Sequence, residues 1–295
     1  MAFLLRSNLR SGFRNIALAV FLISLKAHRV LGDDSTITLA DRLGDYQSYN
    51  DAITEYKRFI FLNPSDSKRE YCFYKIGLSF RAIGNWAQAC ESFRMALATL
   101  QNDSLKDDTR IDLAITLMAS GNYNLARYEL LKVIHFSEFK SKKHKALFFQ
   151  GVNDLYLFDW NGAYSNFQFF FSGCEQPDCR RQETRILPLL SQATSFSSKS
   201  PGKAKILSTF VPGLGQAYVG DYWHGLNALI LNSLIATLTV YSVRERKYFD
   251  MAICSSLFVR YFLGNRENAK RLAENHNLKL NRERASEILK LLSSD

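Results

Sequence analysis

Cysteine and proline are both scarce, at five each in 295 residues. Five cysteines are too few for a disulfide scaffold, and none stands with a second Cys pair or a nearby His at zinc-site spacing. With so few prolines and only fifteen glycines there is little room for long disordered linkers. Missing too are a phosphate loop, a dinucleotide fingerprint, a zinc-protease helix and a nucleophile elbow. The string PGLGQAYVG holds Gly-x-Gly but no third glycine at the required spacing. The histidines at 28, 135, 144, 224 and 276 have no ligand spacing. These absences predict a chain with no catalytic residues, no metal, no cofactor and no small-molecule substrate.

The formal charge is +10. Arg6, Arg10, Arg14, Lys26 and Arg29 supply half of it within the first 32 residues, which contain no acid. Elsewhere Lys and Arg are interspersed with Asp and Glu, without a dense patch or an aromatic-basic stripe, which argues against nucleic-acid binding. Acid-free residues 1–15 lead into a ten-residue apolar run, Ile16 to Leu25. That is the pattern of a signal peptide, with small residues permitting a cut before Asp33. An uncleaved anchor and a mitochondrial presequence are the other readings of residues 1–32. Cys174 and Cys179 stand five apart in a polar stretch. In an exported chain they pair; otherwise they are two free thiols. Cys72, Cys90 and Cys254 sit in apolar helical contexts as core fillers.

What is present is a repeat. Alanines fall at Ala52, Ala89, Ala126 and Ala163, each 37 residues from the last. Three before each stands an aromatic (Tyr49, Trp86, Tyr123, Trp160). Four after each stands a large apolar residue (Tyr56, Phe93, Leu130, Phe167). Twelve before comes a small residue (Ala40, Gly77, Ala114, Gly151). Ala and the bulky residue four later share one helical face. The small residue belongs to a preceding helix and admits the second helix closely. Gly84-Asn85 and Gly121-Asn122 mark the turns between them. Each unit is predicted to be a helical hairpin that hides its apolar stripe only by stacking on the next.

This pattern resembles the tetratricopeptide repeat over about residues 36–171, with a period of 37 rather than about 34. The first unit matches least well, and Asp154 replaces the apolar residue seen at Leu43, Phe80 and Leu117. The resemblance implies an interaction scaffold that holds a protein or peptide partner in a groove lined by first helices. Its groove positions fall on Tyr71, Tyr74, Leu78 and Arg81, then Asp108, Ile111, Ile115 and Met118, then Lys145, Phe148, Val152 and Tyr156. That groove is expected to be apolar and aromatic, unless these residues instead pack on neighbouring helices.

After a polar connector, 173–203, the sequence turns hydrophobic. Residues 206–220 are apolar but broken by Pro212, Gly213 and Gly215. Trp223 to Val243 holds no Asp, Glu, Lys or Arg over 21 residues, about 31 Å of helix and the thickness of a bilayer core. Tyr248 to Gly264 is a second candidate span, with Asp250 near its start and Arg260 able to snorkel from near Gly264. The motif from Pro212 through Gly213, Gly215, Gln216, Tyr218 and Gly220, followed by Gly225, Asn227, Gly264-Asn265, Ala269 and Asn275, resembles a hairpin module of bacterial membrane proteins. The resemblance implies a membrane lipid environment and a packed hairpin.

The expected fold is therefore all-α: a tetratricopeptide-like solenoid of four repeats over 33–172, a hydrophobic, transmembrane helical hairpin over 204–264 and a charged helical tail over 265–295. The basic loop Arg244 to Lys247 favours two spans; the tail's positive charge favours three. The functional expectation is a non-enzymatic adaptor of the bacterial cell envelope, its repeats periplasmic and its C-terminal module in a membrane. The alternative is a component of a transport or protein-insertion system acting through the kinked segment.

Overall fold

The computed structural model describes residues 35–293, so the targeting segment expected at 1–32 lies outside the described residues. The described chain is all-α and holds no strand. Its described residues divide into two compact units, 35–157 with Ser165–Gly173, and Phe158–Tyr164 with 174–293.

In the first unit, α1 (35–45), α2 (Tyr49–Leu62), α3 (Arg69–Ala82), α4 (Trp86–Thr99), α5 (Asp103–Ala119), α6 (Tyr123–Phe136) and α7 (Lys140–Tyr156) follow one another as antiparallel neighbours. Helix α8 (Trp160–Ser172) follows them. The first helices of successive hairpins also touch, α3 with α5 and α5 with α7, which is the contact of a stacked array.

The repeat phase read from the sequence is the core. Ala52, Ala89, Ala126 and Ala163 are fully buried, as are Phe59, Phe93, Leu130, Val133 and Phe167. Small residues meet bulky ones across the second and fourth hairpins. A methyl added to Gly77 lies 2.6 Å from the Phe93 ring, and one added to Gly151 lies 2.9 Å from the Phe167 ring. Where the bulky partner is Leu130 in place of Phe, the small residue is Ala114 in place of Gly.

The turns repeat with the same period. Gln47, Gly84, Gly121 and Phe158 all have positive φ, at 62°, 76°, 79° and 56°. In the first three hairpins the next residue's N–H reaches back five residues: Ser48 to Leu43 O, Asn85 to Phe80 O and Asn122 to Leu117 O, at 2.8–2.9 Å. This left-handed closure satisfies the carbonyls a helix leaves unpaired at its end. Asn85 and Asp159 then accept N–H groups of the next helix, from Gln88 and Gly162.

In the second unit, a 46-residue helix, α13 (Tyr248–Ser293), forms the spine, roughly 69 Å long at the α-helical rise. Helices α9 (Pro177–Thr194), α10 (Pro201–Phe210), α11 (Leu214–Val219) and α12 (Tyr222–Arg244) all pack on it. Ala204, Val219, Ala269 and Ala273 form a small-residue core there. Within the connector, the helix-like stretch from Arg185 to Thr194 belongs to α9, which begins earlier, at Pro177, with a Cys174–Cys179 disulfide at its start. Gly264-Asn265 does not end a helix: α13 runs through it into the charged tail. Among the described residues α12 is the one helix long and apolar enough to cross a membrane. The second candidate, 248–264, falls short because Asp250 and Arg260 dilute its apolar face.

Candidate functional site

Two places gather the residues singled out by sequence. The first is the row of first helices in the first unit. Tyr71 Oη donates to Asp41 Oδ1 at 2.9 Å, and Lys75 pairs with the same carboxylate at 3.2 Å. Tyr74 Oη donates to Asp112 Oδ2 at 2.9 Å while Arg81 binds Asp112 Oδ1 at 2.8 Å. Lys142 pairs with Asp108 at 2.5 Å. The expected apolar groove is thus laced by tyrosine, aspartate and basic side chains joining α1 to α3, α3 to α5 and α5 to α7. Burial, reinforced by Asp112, pushes the Tyr74 phenol well above its ordinary value. Burial likewise pushes the Cys72 thiol up to about 12, leaving it inert as a nucleophile.

The remaining groove candidates separate. Ile111 is fully buried core. Leu78, Ile115 and Met118 are half-buried against that core. Phe148 joins an aromatic cluster with Phe149, Phe167 and Phe170. Lys145 is exposed and Val152 half-buried. Tyr156 is exposed and stacked on Tyr123, ring centres 5.2 Å apart. Asp154, the break in the repeat pattern, is buried and accepts from Arg127, Gln150 and Asn166 at 2.7–2.8 Å. Three donors offset the desolvation of that carboxylate.

The second place is the broken segment 208–216. Helix α10 ends at Phe210, and Pro212 and Gly213 turn the chain into α11. Gly213 has φ +96°, and a methyl on it falls 2.0 Å from Gly225 O. A methyl on Gly215 falls 2.0 Å from Ala204 O. Both glycines therefore sit where backbone meets backbone, and no side-chain rotation relieves a substitution. Gly220, φ +103°, closes α11 with the same back-reaching bond seen in the repeats, from Asp221 N–H to Gln216 O at 2.9 Å.

A polar thread crosses this unit. Gly215 N–H donates to Ser208 Oγ at 3.0 Å, and Ser208 Oγ donates to Gln216 Oε1 at 2.9 Å. Gln216 Nε2 donates to Asn265 Oδ1 on α13. Ser208 and Gln216 are fully buried. Nearby, Tyr218 Oη accepts from Ser200 N–H at 3.2 Å. Asn277 brackets Lys199, accepting from its N–H at 2.9 Å and donating to its C=O at 2.7 Å. Asn277, not Asn275, is the asparagine that binds. Arg260 stands exposed on α13, and Asp250 lies ten residues earlier on the same helix, about 15 Å away by helical rise. The two do not pair.

The sequence motif thus defines a built module: a glycine-tight helix break locked by buried amides onto a long spine helix and followed by an apolar hairpin. Residues 197–288 match the model of a family of unknown function (DUF5683). The match covers α10 to α12 and α13 as far as Ile288, and the helical hairpins of the first unit lie outside it. No curated protein matches the chain.

Sequence reading missed Ser208, Asn265 as the partner of Gln216, and Asn277. The spacing from Gln216 to Asn265, 49 residues, carries no local periodicity that would have revealed it.

Proposed function

We propose that this protein is a non-enzymatic adaptor: a tetratricopeptide-like array that recruits a protein or peptide partner, held at a membrane by the C-terminal module. One observation carries the reading. Helix α12 leaves Leu229, Ile230, Leu234, Leu238, Val240 and Val243 exposed along a stretch without charge. Apolar side chains of that number on one span have no cover in the chain's own fold and suit lipid. Tyr222, Trp223 and Tyr241 at its ends suit the two interfaces.

The stacked hairpins support the recruiting role, because Lys145 and Tyr156 on the first helix of the fourth hairpin stay exposed to a partner. The Cys174–Cys179 disulfide supports placing the repeats in an oxidising compartment, as in the periplasm of a bacterial cell envelope. The pairing of buried Asp112 with Arg81 and of buried Asp154 with Arg127 supports a role for these carboxylates in holding the array together.

Affinity capture from detergent extracts tests this, using the full chain and a chain lacking 203–295. The adaptor reading expects the same partner with both, and membrane recovery with the full chain alone. A partner that follows only the C-terminal module, or recovery of the full chain as a soluble species without detergent, overturns it.

A further inference from the structure

We propose that the cleft between α12 and α13 is a phospholipid site, with a phosphate group held by Arg260 and the asparagines of α13 and an acyl chain leaving along α12. The proposal rests on the membrane reading of α12 above. The cleft has a volume of about 610 Å³ and its lining includes Asn232, Arg260, Tyr261, Asn265 and Asn268.

Two of those side chains are buried with an unpaired polar atom. Asn232 is 3% exposed; its Nδ2 donates to Ala228 O at 2.7 Å, and its Oδ1 has no partner. Asn265 is 8% exposed, and its Nδ2 has no partner. Neither amide can be turned around. A backbone carbonyl accepts only a donor, so Asn232 must spend Nδ2 on Ala228. The thread from Gly215 N–H through Ser208 and Gln216 delivers a donor to Asn265, so Asn265 must answer with Oδ1. The cleft is thus lined by a fixed donor on α13 and a fixed acceptor on α12. Leaving either unmet is expensive in a buried setting.

The rest of the lining selects the ligand. Arg260 has no acidic partner among the described residues, and with the amides of Asn265 and Asn268 and the Tyr261 hydroxyl it makes a donor-rich, cationic site. Such a set recognises phosphate oxygens. Ala228, Leu231 and Leu257 make the other side of the cleft apolar, and the exposed leucines of α12 continue it.

Depth agrees. Asn268 stands twenty residues into α13, about 30 Å from the turn at 245–247 by helical rise and thus one bilayer core away. The asparagine end of the cleft then lies at the far interface, where headgroups lie. Arg260 lies about 12 Å further in, its long side chain reaching back.

The test is native mass spectrometry of the full chain released from detergent, titrated with phosphatidylglycerol, with diacylglycerol of the same chains, or with inorganic phosphate. The expected result is one retained phosphatidylglycerol, no retained diacylglycerol and no competition from millimolar phosphate. Arg260→Gln is expected to weaken retention roughly tenfold, the worth of one charge-assisted contact. Asn268→Leu is expected to weaken it as well, while Arg246→Gln in the turn leaves it unchanged. Equal competition by free phosphate overturns the lipid assignment, as does full retention by Arg260→Gln and Asn268→Leu. Membrane fractionation of the same variants reads the underlying premise separately: variants that stay membrane-bound but lose the lipid support the site, and a wild-type chain that is soluble sinks the premise itself.

Discussion

Replacing Gly77 by alanine places a methyl 2.6 Å from Cε1 and 2.7 Å from Cδ1 of Phe93. Ordinary carbon contacts begin near 3.4 Å, so the ring or the helix must yield by most of an ångström. Phe93 is fully buried within the core cluster, which leaves it little room to turn. Overpacking of this kind costs about 1–3 kcal/mol. Phe93→Leu alone opens a cavity and costs about 1–2 kcal/mol. The double variant recreates the pairing that the third hairpin already uses, Ala114 with Leu130. Its cost is expected to fall short of the sum of the singles by about 1 kcal/mol or more. Urea denaturation of the four proteins, followed by far-UV circular dichroism, reads the three differences. A Gly77→Ala variant as stable as wild type, or single effects that simply add, refutes the claim that these two positions meet across the hairpin.

Other consequences can be checked in the same assay. Gln47 and Phe158 occupy positive-φ positions where the other two hairpins use Gly84 and Gly121, so Gln47→Gly is expected to stabilise, and Gly84→Ala to destabilise, each by about 1 kcal/mol. Asp154→Asn removes the ion pair to a partly exposed Arg127 and is expected to cost about 2–3 kcal/mol, discounted for that exposure. His144 packs on Phe170 with ring centres 4.4 Å apart, and burial, helped by Lys140, lowers its pKa below 6.5. Below that pH the unfolded chain binds the proton more readily than the fold does. Its contribution is therefore intact above about 6.5 and declines as the pH falls. The wild-type midpoint should drop between pH 7.5 and 5.5 by more than that of His144→Phe, and equal slopes contradict the assignment.

The hairpins were legible because their packing is local and periodic. Offsets of twelve before and four after each alanine name the residues that touch, and burial follows those offsets at Phe93, Leu130 and Phe167 alike. The turns at Gly84 and Gly121 announced themselves, but Gln47 and Phe158 did not, since neither residue type signals a left-handed backbone. The groove positions carried over by resemblance fared unevenly for a physical reason. A position on a first helix can face a partner or a neighbouring helix, and Ile111, Tyr74 and Arg81 meet neighbours. In the C-terminal module the glycines told of close approach, while what they approach, Gly225 O and Ala204 O, is set by tertiary packing. Nothing local in the sequence shows that α13 runs unbroken through Gly264-Asn265; the burial of Asn265, Ala269 and Ala273 in the second unit holds it continuous there.

The account depends most on α12 being covered by lipid. Alkaline carbonate extraction of membranes from cells making the full chain tests that directly, with Leu234→Arg/Leu238→Arg as the comparison. Wild type is expected to stay wholly in the pellet, and the double arginine variant, which adds about 5–7 kcal/mol of insertion cost at the helix centre, to shift to the supernatant. Release of the wild-type chain by carbonate, or a variant that pellets as firmly as wild type, contradicts it.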